Sequence, residues 1–232
     1  ALKTQDEVPN TSDVSNSPGT APLAGSLLNP NLGYSTYYGN LHSHSSYSDG
    51  QLTPADAYAY ARSAAITPLD FLAVTDHNHL SIGMHLASYA LGAAAAAAAN
   101  DDGNFVAIWG QEWGVISTGG HANLFEAPGL FGWDVGNYDV FVAQTDYTGL
   151  YTAFRANPPV GYPHVIEWCH PSSGDFSSYA VTTDGKAVVS LMAMVSGPAF
   201  STSTTESDVG SSTGNEILFQ DALRKGYRVS PT

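Results

Sequence analysis

The sequence holds one cysteine, Cys169, so no disulfide can form within the chain. It is also poor in cations: Lys and Arg together number 7 against 21 Asp and Glu, for a formal net charge of -14. So few cations cannot neutralise a run of phosphates, which argues against nucleic acid as a partner. The same shortage argues against docking on an anionic membrane surface. No apolar run approaches the roughly 20 residues of a helical membrane span. Charged residues make up 12% of the chain and hydrophobic ones 43%, and 232 residues suffice for one large domain with a full core. The chain opens at Ala1 without a basic and apolar leader, and its acidic, Lys-poor composition suits an exported protein. An extracellular or periplasmic location, with a signal peptide already removed, is the expectation.

Residues 1–35 are rich in Ser, Pro, Thr, Asn and Gly and show neither helical nor strand period. They read as a flexible or docking tail, and one use for such a tail is to join copies into a homo-oligomer. Residues 36–232 read as a single domain in which strand-like and helix-like runs alternate. A first strand runs from Tyr37 to His42. Thr53-Pro54-Ala55-Asp56 opens a helix reaching about Ala65, with Thr as N-cap, Pro at the first helical position and an acid at the third. Leu69–Thr75 is a continuous apolar strand of the doubly covered, parallel kind. A helix spans Met84–Ala99, ending in seven alanines. Further strands are expected at Phe105–Trp109, Val165–Cys169 and Val188–Val195. Thr213-Gly214-Asn215-Glu216 reads as a capping box for a helix that stops at Gly226. Tyr227-Arg228-Val229 reads as the start of another strand, so the polypeptide is expected to continue past Thr232. This alternation points to an α/β barrel or sheet.

Histidine is the residue that stands out. His42-Ser43-His44 would place two imidazoles on one face of a strand, because residues i and i+2 share a face. Asp49 follows in the next loop. His77 lies just after the Leu69–Thr75 strand, Glu112 just after Phe105–Gly110, His121 at the start of the next segment and His170 at the end of Val165–Cys169. Groups at the C-terminal ends of parallel strands converge on one face of an α/β barrel. A shell of imidazole and carboxylate with almost no thiolate suits a catalytic Zn, Mn or Fe site. Asp76 and Asn78 flank His77 and are expected to orient the ligands. His79, His85 and His164 fall outside this pattern, and Cys169 is expected in the core.

Together these motifs resemble the PHP (polymerase and histidinol phosphatase) superfamily. They are His42-Ser43-His44 with Ser48-Asp49-Gly50, Thr75-Asp76-His77-Asn78, Gly110-Gln111-Glu112-Trp113, Gly120-His121-Ala122-Asn123 and Cys169-His170-Pro171. Gln-Glu-Trp and Gly-His-Ala-Asn look most like its carbaryl-hydrolase-like branch. The resemblance implies a distorted (β/α)7 TIM-like barrel, here lacking its last elements, with two or three divalent metal ions. It implies metal roles for His42, His44, Asp49, His77, Glu112, His121 and His170. It also implies a hydrolase that cleaves phosphate mono- or diesters of small molecules with a metal-bound water. The branch allows ester or carbamate cleavage on the same site, and a non-catalytic structural subunit on this scaffold is a third reading. The Asp-x-His pair that closes the family's site has no counterpart before Thr232.

Overall fold

A computed structural model describes residues 27–28, 35–63, 68–194 and 212–232. Its elements in chain order are β1 (Leu27–Leu28), β2 (Ser35–Thr36), β3 (Gly39–Asn40), α1 (Pro54–Ala61), β4 (Phe71–His77), α2 (Leu86–Ala99), β5 (Val106–Val115), β6 (Gly120–Phe125), β7 (Phe131–Gly132), β8 (Val140–Phe141), α3 (Tyr147–Ala156) and β9 (Ile166–Cys169). A helical segment Asp175–Tyr179, a short helix Thr183–Val188, β10 (Val189–Met192), a helix Ser212–Arg224 and β11 (Ser230–Pro231) follow. Most of the tail lies outside the described residues. At its end, Leu27–Leu28 pairs antiparallel with Ser35–Thr36, a strand pair within a segment read as having none.

Seven strands form one curled, open sheet in the order β11-β10-β9-β6-β5-β4-β3. All neighbours are parallel except at β6, which runs antiparallel to both β5 and β9. This antiparallel strand departs from the all-parallel sheet of a regular α/β barrel. The cause is local: only Ile116–Gly119 separates β5 from β6. A parallel return needs a crossover of a dozen or more residues, whereas an antiparallel return needs only a turn. Gly119 and Gly120 make that turn at φ 133° and 93°, and a Cβ on Gly119 would press on the Tyr147 ring. The sheet is therefore an open, curled half-barrel.

Several boundaries differ from those read in the sequence. The strand leading to the first histidines stops at Asn40, so His42 and His44 lie beyond its regular pairing. Ser43 nevertheless runs beside β4: its Oγ donates to Ala73 O at 2.6 Å, and Thr75 N donates to Ser43 O at 2.8 Å. β5 continues through Val115, which places Glu112 inside a strand and not in the loop after it. The polar Gln111-Glu112 pair hides this continuation; backbone pairing with both β4 and β6 supplies it. Helix α1 ends at Ala61 and not near Ala65, and Ser63 N closes it with a tighter bond to Tyr60 O. Its start is as expected, with Thr53 and Asp56 forming a reciprocal capping box. The expected Val188–Val195 strand is shorter, Val189–Met192, because Thr183–Val188 is helical. The side chains needed to judge a cap at Thr213 lie outside the described residues.

Helices pack on the convex side. α2 buries Tyr89, Gly92 and Ala96 against the sheet, and Trp109 of β5 fills the space over Gly92. Tyr147, Leu150, Tyr151 and Phe154 of α3 are fully buried with Trp113 and Trp168. This apolar layer fixes β5, and hence Glu112. Gly92→Ala tests it. Helix propensity alone favours Ala by about 1 kcal/mol. A Cβ there would meet the Trp109 indole directly, and overpacking costs about 1–3 kcal/mol. The expected net result is a lower Tm by calorimetry; an unchanged or higher Tm would show that α2 sits more loosely on β5.

Candidate metal centre

Glu112 is the hub of the site, with 1% of its side chain exposed. Its Oε1 lies 2.8 Å from His121 Nδ1, 3.0 Å from His170 Nε2 and 3.2 Å from His42 Nε2. Its Oε2 lies 2.9 Å from His77 Nδ1 and 3.1 Å from His44 Nε2. Asp49 extends the cluster: its Oδ1 is 2.5 Å from His44 Nδ1 and its Oδ2 3.7 Å from His77 Nε2. All seven residues singled out as ligands in the sequence thus meet in one place. The antiparallel turn explains how His121 joins them. Because β6 runs backward, its first residues lie at the edge where β4 and β9 end.

Burial alone would raise the Glu112 pKa, but the surrounding imidazoles, His121 and His170 foremost, outweigh it and hold the carboxyl well below its usual range. For His44, burial disfavours the charged ring, yet Glu112 and Asp49 on its two nitrogens overcome this and raise its pKa to about 9. Asp49 is lowered despite its partial burial, chiefly by His44. His121 is lowered, with burial as the leading cause.

The donors fit a cation. Glu112 Oε2, His77 Nδ1 and His170 Nδ1 are buried and have no hydrogen-bond partner among the described residues. Glu112 Oε2 and His77 Nδ1 approach to 2.9 Å without the angle of a hydrogen bond. Three overlapping donor sets lie within 4.8 Å among themselves: His42 with Glu112 and His170, His77 with Glu112 and His121, and His44 with Asp49 and His77. Glu112 and His77 each belong to two sets. His170 follows β9 directly at φ 26°, a strained value for a residue with a side chain.

Asp76 and Asn78 hold the segments that carry candidate ligands. Neither hydrogen-bonds a candidate ligand's side chain. Fully buried Asp76 accepts from Ser45 N at 2.8 Å, Ser45 Oγ at 2.6 Å and Ser48 Oγ at 2.5 Å, which holds the loop that carries Asp49. Asn78 accepts from Gly114 N at 3.2 Å and donates to Phe131 O at 3.1 Å, tying the end of β4 to β5 and β7. Of the histidines set aside, His79 borders the cluster, 5.5 Å from the His77 ring and stacked on Trp133 at 6.1 Å. His85 precedes α2 without capping it, and His164 packs its edge against Phe154 at 5.4 Å. Cys169 is buried, as expected.

Sequence reasoning passed over Glu167 and Asn123. Glu167 is buried at 2% exposure in β9, and burial raises its pKa against hydrogen bonds from Thr232 and Asn123. A lone acid inside the run Val165-Ile166-Glu167-Trp168-Cys169 was the available signal, since acids are almost never fully buried without a partner.

No protein-family model matches the sequence, and no curated protein matches it. Among solved structures, the chain is similar to a two-domain protein from Bacteroides vulgatus ATCC 8482 that contains a predicted PHP-like metal-dependent phosphoesterase. The TM-score is 0.53 at 16% identity over 93% of this chain and 55% of that one. The chain therefore spans about half the length of that protein. A protein from Bifidobacterium adolescentis ATCC 15703, assigned by prediction as a metal-dependent phosphoesterase, aligns with a TM-score of 0.49 at 12% identity over 84% and 86%. At that score the second likeness adds nothing to the assignment of fold. The first shows a shared fold alone.

Protonation gives a test of the cluster. A histidine whose folded pKa is raised stabilises the fold fully below its unfolded value of roughly 6.5, and the contribution fades as pH rises through the folded value. For His44 that value is about 9. The metal-free protein should therefore lose Tm between pH 6.5 and 9, and His44→Gln should flatten the loss. Metal binding should follow the opposite trend and tighten with pH, because a ligating imidazole must give up its proton. Equal pH slopes for wild type and His44→Gln would refute this protonation of His44.

Proposed function

We propose that this chain carries the metal site of a hydrolase that cleaves phosphate mono- or diesters of small molecules. The observation that carries the reading is a deeply buried glutamate ringed by five histidines, with Asp49 alongside. The residues His42, His44, Asp49, His77, Glu112, His121 and His170 would hold two or three divalent ions, of which Zn, Mn and Fe suit the donors. When bound, such ions supply Lewis acidity at phosphoryl oxygens and bring the pKa of a coordinated water toward neutrality.

The chain's own residues prepare the site for that chemistry. Glu112, held ionised, offers both oxygens without a prior proton loss. Asp76 fixes the loop of Asp49, and Asn78 fixes the strand end that carries His77. Arg62, Arg155 and Arg224 are paired with Asp101, Asp184 and Asp221, and the whole chain holds only 7 Lys and Arg. In this reading, positive charge for a phosphoester comes largely from the ions themselves. The Gln111-Glu112-Trp113 and Gly120–Asn123 motifs lead us to place the chain in the carbaryl-hydrolase-like branch. The fold shared with a protein containing a predicted PHP-like phosphoesterase favours the phosphoester over the carboxylic ester. The exported location read from composition is part of the same proposal.

Elemental analysis and hydrolysis of p-nitrophenyl phosphate and bis-p-nitrophenyl phosphate test the reading. The expected result is two or three ions per chain and turnover that a chelator abolishes and added Zn or Mn restores. Glu112→Ala should lower turnover by more than about 100-fold, beyond the loss typical of groups that only support ligands. Cleavage of p-nitrophenyl acetate without cleavage of either phosphate would replace the phosphoesterase with a carboxylic ester hydrolase.

A further inference from the structure

One buried acceptor next to the cluster is committed to nothing. Asn123 is 0% exposed and lies directly opposite Glu112 in the β5–β6 register. Directly opposed residues of an antiparallel pair share a face, with Cβ atoms about 5 Å apart. Asn123 also shares that face with His121, two residues before it. On its other side it is opposite Glu167 of β9. The side chains of Glu112, Asn123 and Glu167 thus form one row across three adjacent strands on the concave face.

The amide has only one sensible orientation. Asn123 Nδ2 lies 2.9 Å from Glu167 Oε2. Both Glu167 oxygens accept, Oε2 from the Asn123 amide and Oε1 from Thr232 Oγ1, so the NH2 end faces Glu167 and the carbonyl end faces away. Asn123 Oδ1 is accordingly a buried acceptor, and it has no donor among the described residues. The nearby imidazole nitrogens do not supply one: His121 Nδ1 faces Glu112 Oε1 at 2.8 Å and His170 Nε2 at 3.3 Å. Leaving such an oxygen unpaired costs about 1–3 kcal/mol. Glu167 is itself steadied from behind, since Thr232 Oγ1 donates to its Oε1 at 2.5 Å.

We propose that Asn123 is a further catalytic residue of the site, whose Oδ1 accepts the O–H of the attacking water, and that Glu167 is a positioning residue that turns the amide to present this oxygen. The inference rests on the hydrolase reading. It assigns the acceptor a donor that the reaction supplies, and it gives a purpose to a buried carboxyl that no ligand set uses. No proton is transferred to Asn123; the bond fixes where the water's hydrogen points, and hence where its lone pair is aimed.

The test compares wild type, Asn123→Leu, Glu167→Gln and the double variant. Three quantities are read: metal content, kcat on p-nitrophenyl phosphate, and the Asn123 side-chain amide resonances in metal-free, 15N-labelled protein. Asn123→Leu keeps the volume and removes the acceptor. Glu167→Gln is isosteric, and by offering an NH2 it lets the Asn123 amide turn over; it covers the case in which the leucine variant does not fold. Metal content should stay at the wild-type level in all variants. Each single variant should lose kcat by about 10–100-fold, and the double variant should be no slower than Asn123→Leu, because Glu167 acts only through Asn123. A purely structural Glu167 would instead add its loss in the double variant. The Asn123 amide protons should shift clearly in Glu167→Gln. A kcat for either single variant within twofold of wild type, or losses that multiply, would overturn the proposal. If wild type binds metal but hydrolyses no phosphate ester, the phosphoesterase reading fails separately. The amide resonances then judge the orientation alone, and their indifference to Glu167→Gln would overturn it.

Discussion

A carboxylate removed from water is costly unless charges and hydrogen bonds replace the lost solvent, and Glu112 is almost wholly removed from water. Five imidazoles supply that replacement. The arrangement runs both ways. The histidines need an anion to lower the cost of gathering so closely, and the glutamate needs them to stay ionised where it is. In the metal-free protein part of this balance is met by protons, as the raised His44 shows. Bound divalent ions would meet it better, since their charge would replace several proton-mediated contacts and satisfy nitrogens that have no partner among the described residues.

The fold is arranged so that Glu112 can be there. It sits inside β5, the strand flanked by β4 and β6, with backbone pairs on both sides. Trp109 and Trp113 on the opposite face anchor the strand in the apolar layer beneath α2 and α3. The turn at Gly119-Gly120 then sends β6 back along β5, which brings His121 to the same edge as His77 and His170. Asp76 and Asn78 spend their hydrogen bonds on backbone and loop, so the ligand-bearing segments are fixed before any ion arrives.

Much of the site was legible in the sequence. Short His and acid motifs closing apolar runs are rare by chance, and the seven ligand candidates do meet in space. The reason they were readable is that each sits where a hydrophobic pattern stops. The parts that were not readable have the opposite character. Glu112 lies within a strand whose polar residues mask its length. The antiparallel course of β6 depends on a four-residue connection that composition does not advertise. The roles of Asp76 and Asn78 depend on distant partners such as Ser45 and Gly114, and spacing along the chain carries no trace of those. The row that Asn123 and Glu167 form with Glu112 is set by strand register, which spacing along the chain does not show.

The central claim is that Glu112 exists to be shared between metal ions. The most direct measurement is anomalous X-ray diffraction from crystals of the metal-loaded protein. The account predicts at least two peaks, both within about 2.0–2.3 Å of Glu112 oxygens and of the surrounding imidazole nitrogens. Peaks confined to other surfaces, or a fully loaded protein with Glu112 touching only histidines, would contradict it.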